Sequence, residues 1–188
     1  MWIMKVISGV YKGRKIEGYD INGTRPTMDR VKESLFATIQ DYLNDSIVLD
    51  LFSGSGNLGI EAISEGAKYA YLVLATLVSL LPHPVIKTNI NNIGINNCEV
   101  LNMDYLKAIK YLAEKEVKLD LIFLDPPYQT NFIEKSIKLI TQLNILSKTG
   151  LIICESDSID RIVFPENYQI IKEKKYGDKW VVILKQIW

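Results

Sequence analysis

With 188 residues, 48% of them hydrophobic and 23% charged, the chain has the make-up of one ordinary globular domain, which excludes wholesale disorder and fibrous repeats. Lysine plus arginine and aspartate plus glutamate each number 22, so affinity for an anionic partner must come from a local patch. Two cysteines and one histidine exclude a disulfide scaffold and leave no conventional zinc site, so no metal is expected. The first residues, Met1-Trp-Ile-Met-Lys5, lack the apolar core of a signal peptide. The most apolar stretch, Tyr69 to Leu81, ends at Pro82 and is too short for a membrane span. A cytoplasmic monomer that touches no membrane is the expectation.

Residues 1–32 carry seven basic side chains (Lys5, Lys12, Arg14, Lys15, Arg25, Arg30 and Lys32) against three acidic ones, leaving 15 against 19 in the remainder. A basic arm on a slightly acidic body suits an anionic partner such as RNA, with Lys12, Arg14, Lys15 and Arg30 as its contacts. Short β-like runs at Met4–Ser8 and Arg14–Glu17, punctuated by Gly9, Gly13, Gly18 and Gly23, predict a hairpin extension over residues 1–24. A single body over residues 25–188 follows. Its first element is a helix from Asp29 to Leu43, where Val31, Leu35, Phe36, Ile39 and Leu43 share one face.

From residue 46 the pattern alternates. Apolar, β-rich runs at Ile47–Phe52, Tyr69–Ala75, Cys98–Asn102, Leu119–Leu124 and Leu151–Cys154 are separated by helix-permitting stretches at Leu58–Glu65, Val85–Ile93, Tyr105–Glu116 and Asn131–Leu143. Near-continuous apolar strands mean a sheet covered on both faces, the parallel α/β layout. The tail, Tyr168–Lys175 and Lys179–Gln186 around Tyr176-Gly177-Asp178, reads as a terminal antiparallel hairpin.

Two loops carry the chemistry. Val48-Leu-Asp-Leu-Phe-Ser-Gly-Ser-Gly-Asn-Leu-Gly59 is a strand running through a glycine turn into a helix, the place where open α/β sheets bind ligands. Gly54-x-Gly56-x-x-Gly59 also satisfies a dinucleotide fingerprint. Asp50 points elsewhere, because a carboxylate before the first glycine suits a cationic group, such as the ammonium of a methionine moiety, and disfavours a pyrophosphate. The second loop, Asp125-Pro-Pro-Tyr128, follows the fourth apolar strand. Its prolines fix the backbone and expose the Pro126 carbonyl as an acceptor. Asp125 adds a second acceptor, and Tyr128 offers a flat face for a stacked ring. That set fits the exocyclic amine of a base taken out of its helix.

With these residues the chain resembles the S-adenosylmethionine-dependent methyltransferases, and more closely the bacterial 16S rRNA guanine-N2 methyltransferases of the RsmD type. The resemblance rests on Val6-Ile-Ser-Gly-Val-Tyr-Lys-Gly-Arg14, Thr24-Arg-Pro-Thr-Met-Asp-Arg-Val-Lys-Glu33, Leu49-Asp-Leu-Phe-Ser-Gly-Ser-Gly56, Asn102-Met-Asp104, Asp125-Pro-Pro-Tyr128 and Tyr176-Gly-Asp178. It implies a Rossmann-like seven-stranded methyltransferase sheet, mostly parallel with an antiparallel C-terminal strand. It also implies methyl transfer from S-adenosylmethionine to a guanine of 16S rRNA in a partly assembled small ribosomal subunit. By position, Asp50, Phe52, Gly54 and Gly56 would line the methionine part of the cofactor. Asp104 would accept from the adenine amino group, although it equally suits a helix N-cap before Tyr105. Asp125, Pro126 and Tyr128 would hold the guanine, and Arg25, Thr27 and Arg30 would close over the cofactor side toward RNA.

One stretch departs from that pattern. Such enzymes carry an acidic residue after the second strand, and here no carboxylate lies between Glu65 and Glu99. Back-translation of Ala75 to His83 permits a shifted frame with a more polar helix start, so a compensated frameshift across about residues 74–84 is one reading. Two other functions stand beside the methyltransferase: an NAD-type dinucleotide-binding oxidoreductase, and a catalytically weak RNA-binding assembly factor.

Overall fold

The computed structural model describes residues 2–18, 29–74, 85–128 and 130–188. Arg25, Thr27 and the anomalous residues 75–84 lie outside them. β1 (Trp2–Lys5) and β2 (Lys15–Gly18) form an antiparallel two-stranded sheet. The chain continues through α1 (Asp29–Ile39), β3 (Ile47–Asp50), α2 (Asn57–Ser64), β4 (Tyr69–Leu74), α3 (Val85–Ile93), β5 (Cys98–Asn102) and α4 (Tyr105–Glu114). It ends with β6 (Leu119–Leu124), α5 (Phe132–Gln142), β7 (Leu146–Ser156), β8 (Tyr168–Tyr176) and β9 (Lys179–Gln186). The large sheet has seven strands in the order β5-β4-β3-β6-β7-β9-β8. β3 to β7 are parallel where they pair, and β9 runs antiparallel to both β7 and β8. This is the seven-stranded methyltransferase sheet that the motifs imply.

Alternating side chains send each strand into two cores. Val48, Leu72, Leu121 and Phe123 belong to the core that also holds residues of α1, α2 and α3. Leu49, Val73, Ile122 and Cys154 belong to the core with α4 and α5. Among the described residues no helix is long and apolar enough to cross a membrane.

The N-terminal sheet is docked on the body. All eight residues of α2 are buried, and a buried ion pair lies beneath the hairpin. The Lys32 ammonium meets Glu61 at 2.7 Å, with both side chains fully buried. It also donates to the Lys5 carbonyl (2.8 Å) and to Asn57 Oδ1 (2.7 Å). Glu61 in turn accepts from the backbone N–H groups of Ile7 (3.0 Å) and Ser8 (2.8 Å). That diversion ends β1 at Lys5, where periodicity alone extends the strand to Ser8. β7 is longer than its apolar run of residues 151–154. It begins at Leu146, opposite Leu119, and a register shift follows across the polar Ser147–Thr149 segment.

Candidate active site

β3 and β6 are neighbouring parallel strands, with Asp50 opposite Phe123 and the Leu51 N–H donating to the Phe123 carbonyl at 3.2 Å. The glycine loop after β3 and the Asp-Pro-Pro-Tyr loop after β6 therefore open side by side at the carboxyl edge of the sheet, where α/β folds bind ligands.

Asp50 is 1% exposed. Its carboxylate accepts from the Gly59 N–H at 3.1 Å. Burial pushes its carboxyl up to about 7, against the opposing pull of hydrogen bonds from Gly59, Phe52 and Ser53. A carboxyl balanced between its forms at neutral pH gains its charge when a cationic group arrives. Gly59 itself is required by packing, since a Cβ there would fall 2.1 Å from Leu72 Cδ2. The other two glycines divide their roles. A Cβ at Gly56 (φ +88°) would meet Ile86 at 2.9 Å and Ile60 at 3.1 Å, so this glycine serves the turn and its packing. Among the described residues, Gly54 (φ +52°) has nothing within 4 Å of its Cβ position. Open space before a glycine, beside a buried and half-titrated carboxyl, fits the methionine end of S-adenosylmethionine.

Asp104 caps α4, its Oδ1 accepting from the N–H groups of Leu106 (2.9 Å) and Lys107 (3.2 Å). Next to it, Phe52 from the β3 loop packs on Tyr105 (ring centroids 5.4 Å apart) and stacks on Phe132 (6.0 Å). Tyr105 and Phe132 also touch, at 4.7 Å. An aromatic wall thus joins the loops after β3, β5 and β6. Neither Tyr105 nor Phe132 stands out in the sequence, where each reads as an apolar position at a helix start.

On the β6 side, Pro126 is buried, while Asp125 and Tyr128 are half-buried. Two further groups converge here from distant parts of the chain. Glu155, 4% exposed near the end of β7, is ion-paired with Lys179, the first residue of β9. The Lys179 ammonium lies over the Tyr128 ring, 5.7 Å from its centroid. Burial alone would lower its pKa, but the carboxylates of Asp125 and Glu155 more than reverse that and hold it well above the usual lysine range. Burial also pushes the Tyr128 phenol up, against the pull of Lys179. The one sequence signal for Lys179 is its place directly after the Tyr176-Gly177-Asp178 turn. That turn is pinned by a 2.6 Å hydrogen bond between Tyr176 Oη and Ser34 Oγ.

The basic residues are spread more widely. Lys12, Arg14 and Lys15 are exposed. The turn bearing Lys12 and Arg14 docks on the C-terminal end of α2, where the Val10 N–H donates to the Ser64 carbonyl at 2.8 Å. It stands about 12 Å along that helix from the glycine loop. Arg30 is exposed in the first turn of α1. Among the described residues no group of three or more His, Cys, Asp and Glu side chains could hold a metal.

A family model described as "Conserved hypothetical protein 95" matches residues 4–185. The chain is 36% identical over 177 residues to "Ribosomal RNA small subunit methyltransferase D" of Haemophilus influenzae, covering 93% of this chain and 89% of that protein. The protein of the same name from Escherichia coli is 33% identical over 178 residues, covering 93% and 85%. A solved structure described as "Putative methyltransferase yhhF from Escherichia coli" superposes with a TM-score of 0.82 at 30% identity, covering 99% of each chain.

Proposed function

This chain belongs to the ribosomal RNA small subunit methyltransferase D family, and we propose that it transfers a methyl group from S-adenosylmethionine to the exocyclic N2 amine of a guanine in 16S rRNA. The observation that carries this reading is the pairing of β3 with β6, which sets Asp50 and its glycine loop beside Asp125, Pro126 and Tyr128. A dinucleotide-dependent oxidoreductase would leave Asp50 and the Asp-Pro-Pro-Tyr loop without a task. An assembly factor without catalysis would leave the whole acceptor set idle. The relatives are methyltransferases.

Bound S-adenosylmethionine supplies an electrophilic methyl on a sulfonium. Asp50 holds the ammonium at the other end of that molecule, while Phe52 and Gly54 line the approach. Asp104 serves the adenine end with the carboxylate that also caps α4. The guanine stacks on Tyr128, and its N2–H groups donate to Asp125 and the Pro126 carbonyl. Those bonds draw the amine lone pair out of the ring and aim it at the methyl carbon. Asp125, already accepting from the amine, would take the proton released when the cofactor supplies its methyl group and pass it to solvent. Residues 1–24 act as an extension on the body of residues 25–188. Arg25 and Thr27 close over the cofactor side, and with Arg30 they extend toward the RNA of a partly assembled subunit, which Lys12, Arg14 and Lys15 also hold. The protein works as a cytoplasmic monomer.

The test is to map N2-methylguanosine in 16S rRNA from cells with and without this gene. One guanine should lose its methyl group on deletion and regain it on complementation. An unchanged map would refute the assignment.

A further inference from the structure

Asp125 and the Pro126 carbonyl offer only acceptors, and acceptors alone do not separate the two purines that carry an exocyclic amine. Guanine N2 and adenine N6 both donate to them. The bases differ two ring atoms along the edge from the carbon bearing the amine. There guanine presents O6, a hydrogen-bond acceptor, whereas adenine presents only C2–H. A fixed donor at that place selects guanine.

Lys179 is a donor whose ammonium faces the Asp125 carboxylate and lies over the Tyr128 ring. Its backbone is set by the Tyr176–Lys179 pairing across the two-residue turn, and its ammonium is tied to the nearly buried Glu155. The ammonium also reaches Tyr128, the ring on which the base would stack. With a side-chain exposure of 13%, it has little freedom to swing into water. Extending the methyltransferase reading above, on which this rests, we propose that Lys179 determines base specificity by donating a hydrogen bond to O6 of the target guanine. Adenine seated by its N6 amine leaves the desolvated ammonium facing a C–H group. A site built around a donor strongly rejects an analogue lacking the matching acceptor. Glu155 acts through Lys179, fixing where the ammonium sits.

The experiment uses small subunits reassembled from 16S rRNA with either guanine or 2-aminopurine at the methylated nucleotide. 2-Aminopurine keeps the amine on C2 and lacks O6. The wild type should prefer guanine by about 10- to 100-fold in kcat/KM, the value of one well-placed base contact. In Lys179→Met that preference should fall to about twofold or less, through loss of rate on guanine alone. The double variant Lys179→Met/Glu155→Gln strands no buried carboxylate and should show the same loss of preference. A purely structural lysine would slow both substrates alike, so a retained preference in both variants would overturn the assignment. Equal wild-type rates on the two bases would overturn it as well, while leaving the methyltransferase reading intact. No wild-type transfer to guanine would overturn both.

Discussion

In the proposed function, Asp50 is the residue whose physical state most directly links folding to cofactor binding. Burial is the main cause of its raised pKa, which lies at about 7 against an ordinary 3.8. A carboxyl raised in the folded state contributes stability that is complete below pH 4 and lost as pH climbs to about 7. The shift corresponds to a loss on the order of 4 kcal/mol. Urea titrations at pH 5 and pH 8 should therefore show the wild type losing more stability than Asp50→Asn, which has no such titration. Cofactor binding should run the opposite way. In the proposed binding mode the ammonium of S-adenosylmethionine meets the carboxylate, so wild-type affinity should fall as pH drops from 8 to 6, with a proton released on binding. Calorimetry in buffers of different ionisation enthalpy measures that proton. An affinity flat across this range would show that Asp50 does not carry the ammonium. Gly54→Val is the matching steric test: its side chain enters the open space before the loop. At Gly56 a side chain would instead strike Ile86 and Ile60.

At the scale of elements, the buried pair Lys32–Glu61 fastens three pieces together: the N-terminal sheet through Lys5, Ile7 and Ser8, helix α1 through Lys32, and helix α2 through Glu61 and Asn57. Removing one partner of such a pair strands a buried charge and costs about 3–5 kcal/mol. Lys32→Met should lose that much in denaturant titration, and a loss below about 1 kcal/mol would show that the pair is solvated. The sequence carried a signal of this pair, because Lys32 sits three, four and seven residues before Leu35, Phe36 and Ile39, on the apolar face of α1. A charged residue on such a face needs a buried partner, but nothing local names Glu61. The glycine loop and the Asp-Pro-Pro-Tyr loop were legible because each follows a near-continuous apolar strand with its chemistry in consecutive residues. Lys179 and Glu155 were not. They meet only through the β7–β9 pairing, and each alone is an ordinary charge at a strand end.

For the whole molecule, the proposed function makes the distribution of charge the guide to how RNA approaches. Lys12, Arg14 and Lys15 are exposed but lie along a hairpin that runs away from the glycine loop, so they suit phosphate contacts outlying the target nucleotide. The triple Ala variant should bind small-subunit RNA more weakly, with the slope of log affinity against log salt flattened by about two to three units. Binding of S-adenosylmethionine should be unchanged. Wild-type RNA affinity in that variant would remove the hairpin from the RNA surface. The fold at this scale was legible because the alternation of strand and helix from residue 46 onward sets a parallel sheet. The docking of the hairpin was not, since it depends on side chains of α2 more than 50 residues away.

The pairing of the two loops across β3 and β6 makes a separable demand on Asp125. It should be needed for transfer and dispensable for the cofactor, which the proposed function seats on the Asp50 side. The decisive measurement is labelled methyl transfer from S-adenosylmethionine to hypomethylated small subunits by the wild type and Asp125→Ala, with cofactor affinity measured in parallel. The expected result is N2-methylguanosine as the wild-type product, a rate about 100- to 1000-fold lower in the variant, and cofactor affinity within about twofold. Full transfer by Asp125→Ala, or a wild type that leaves guanine N2 unmethylated, would contradict it.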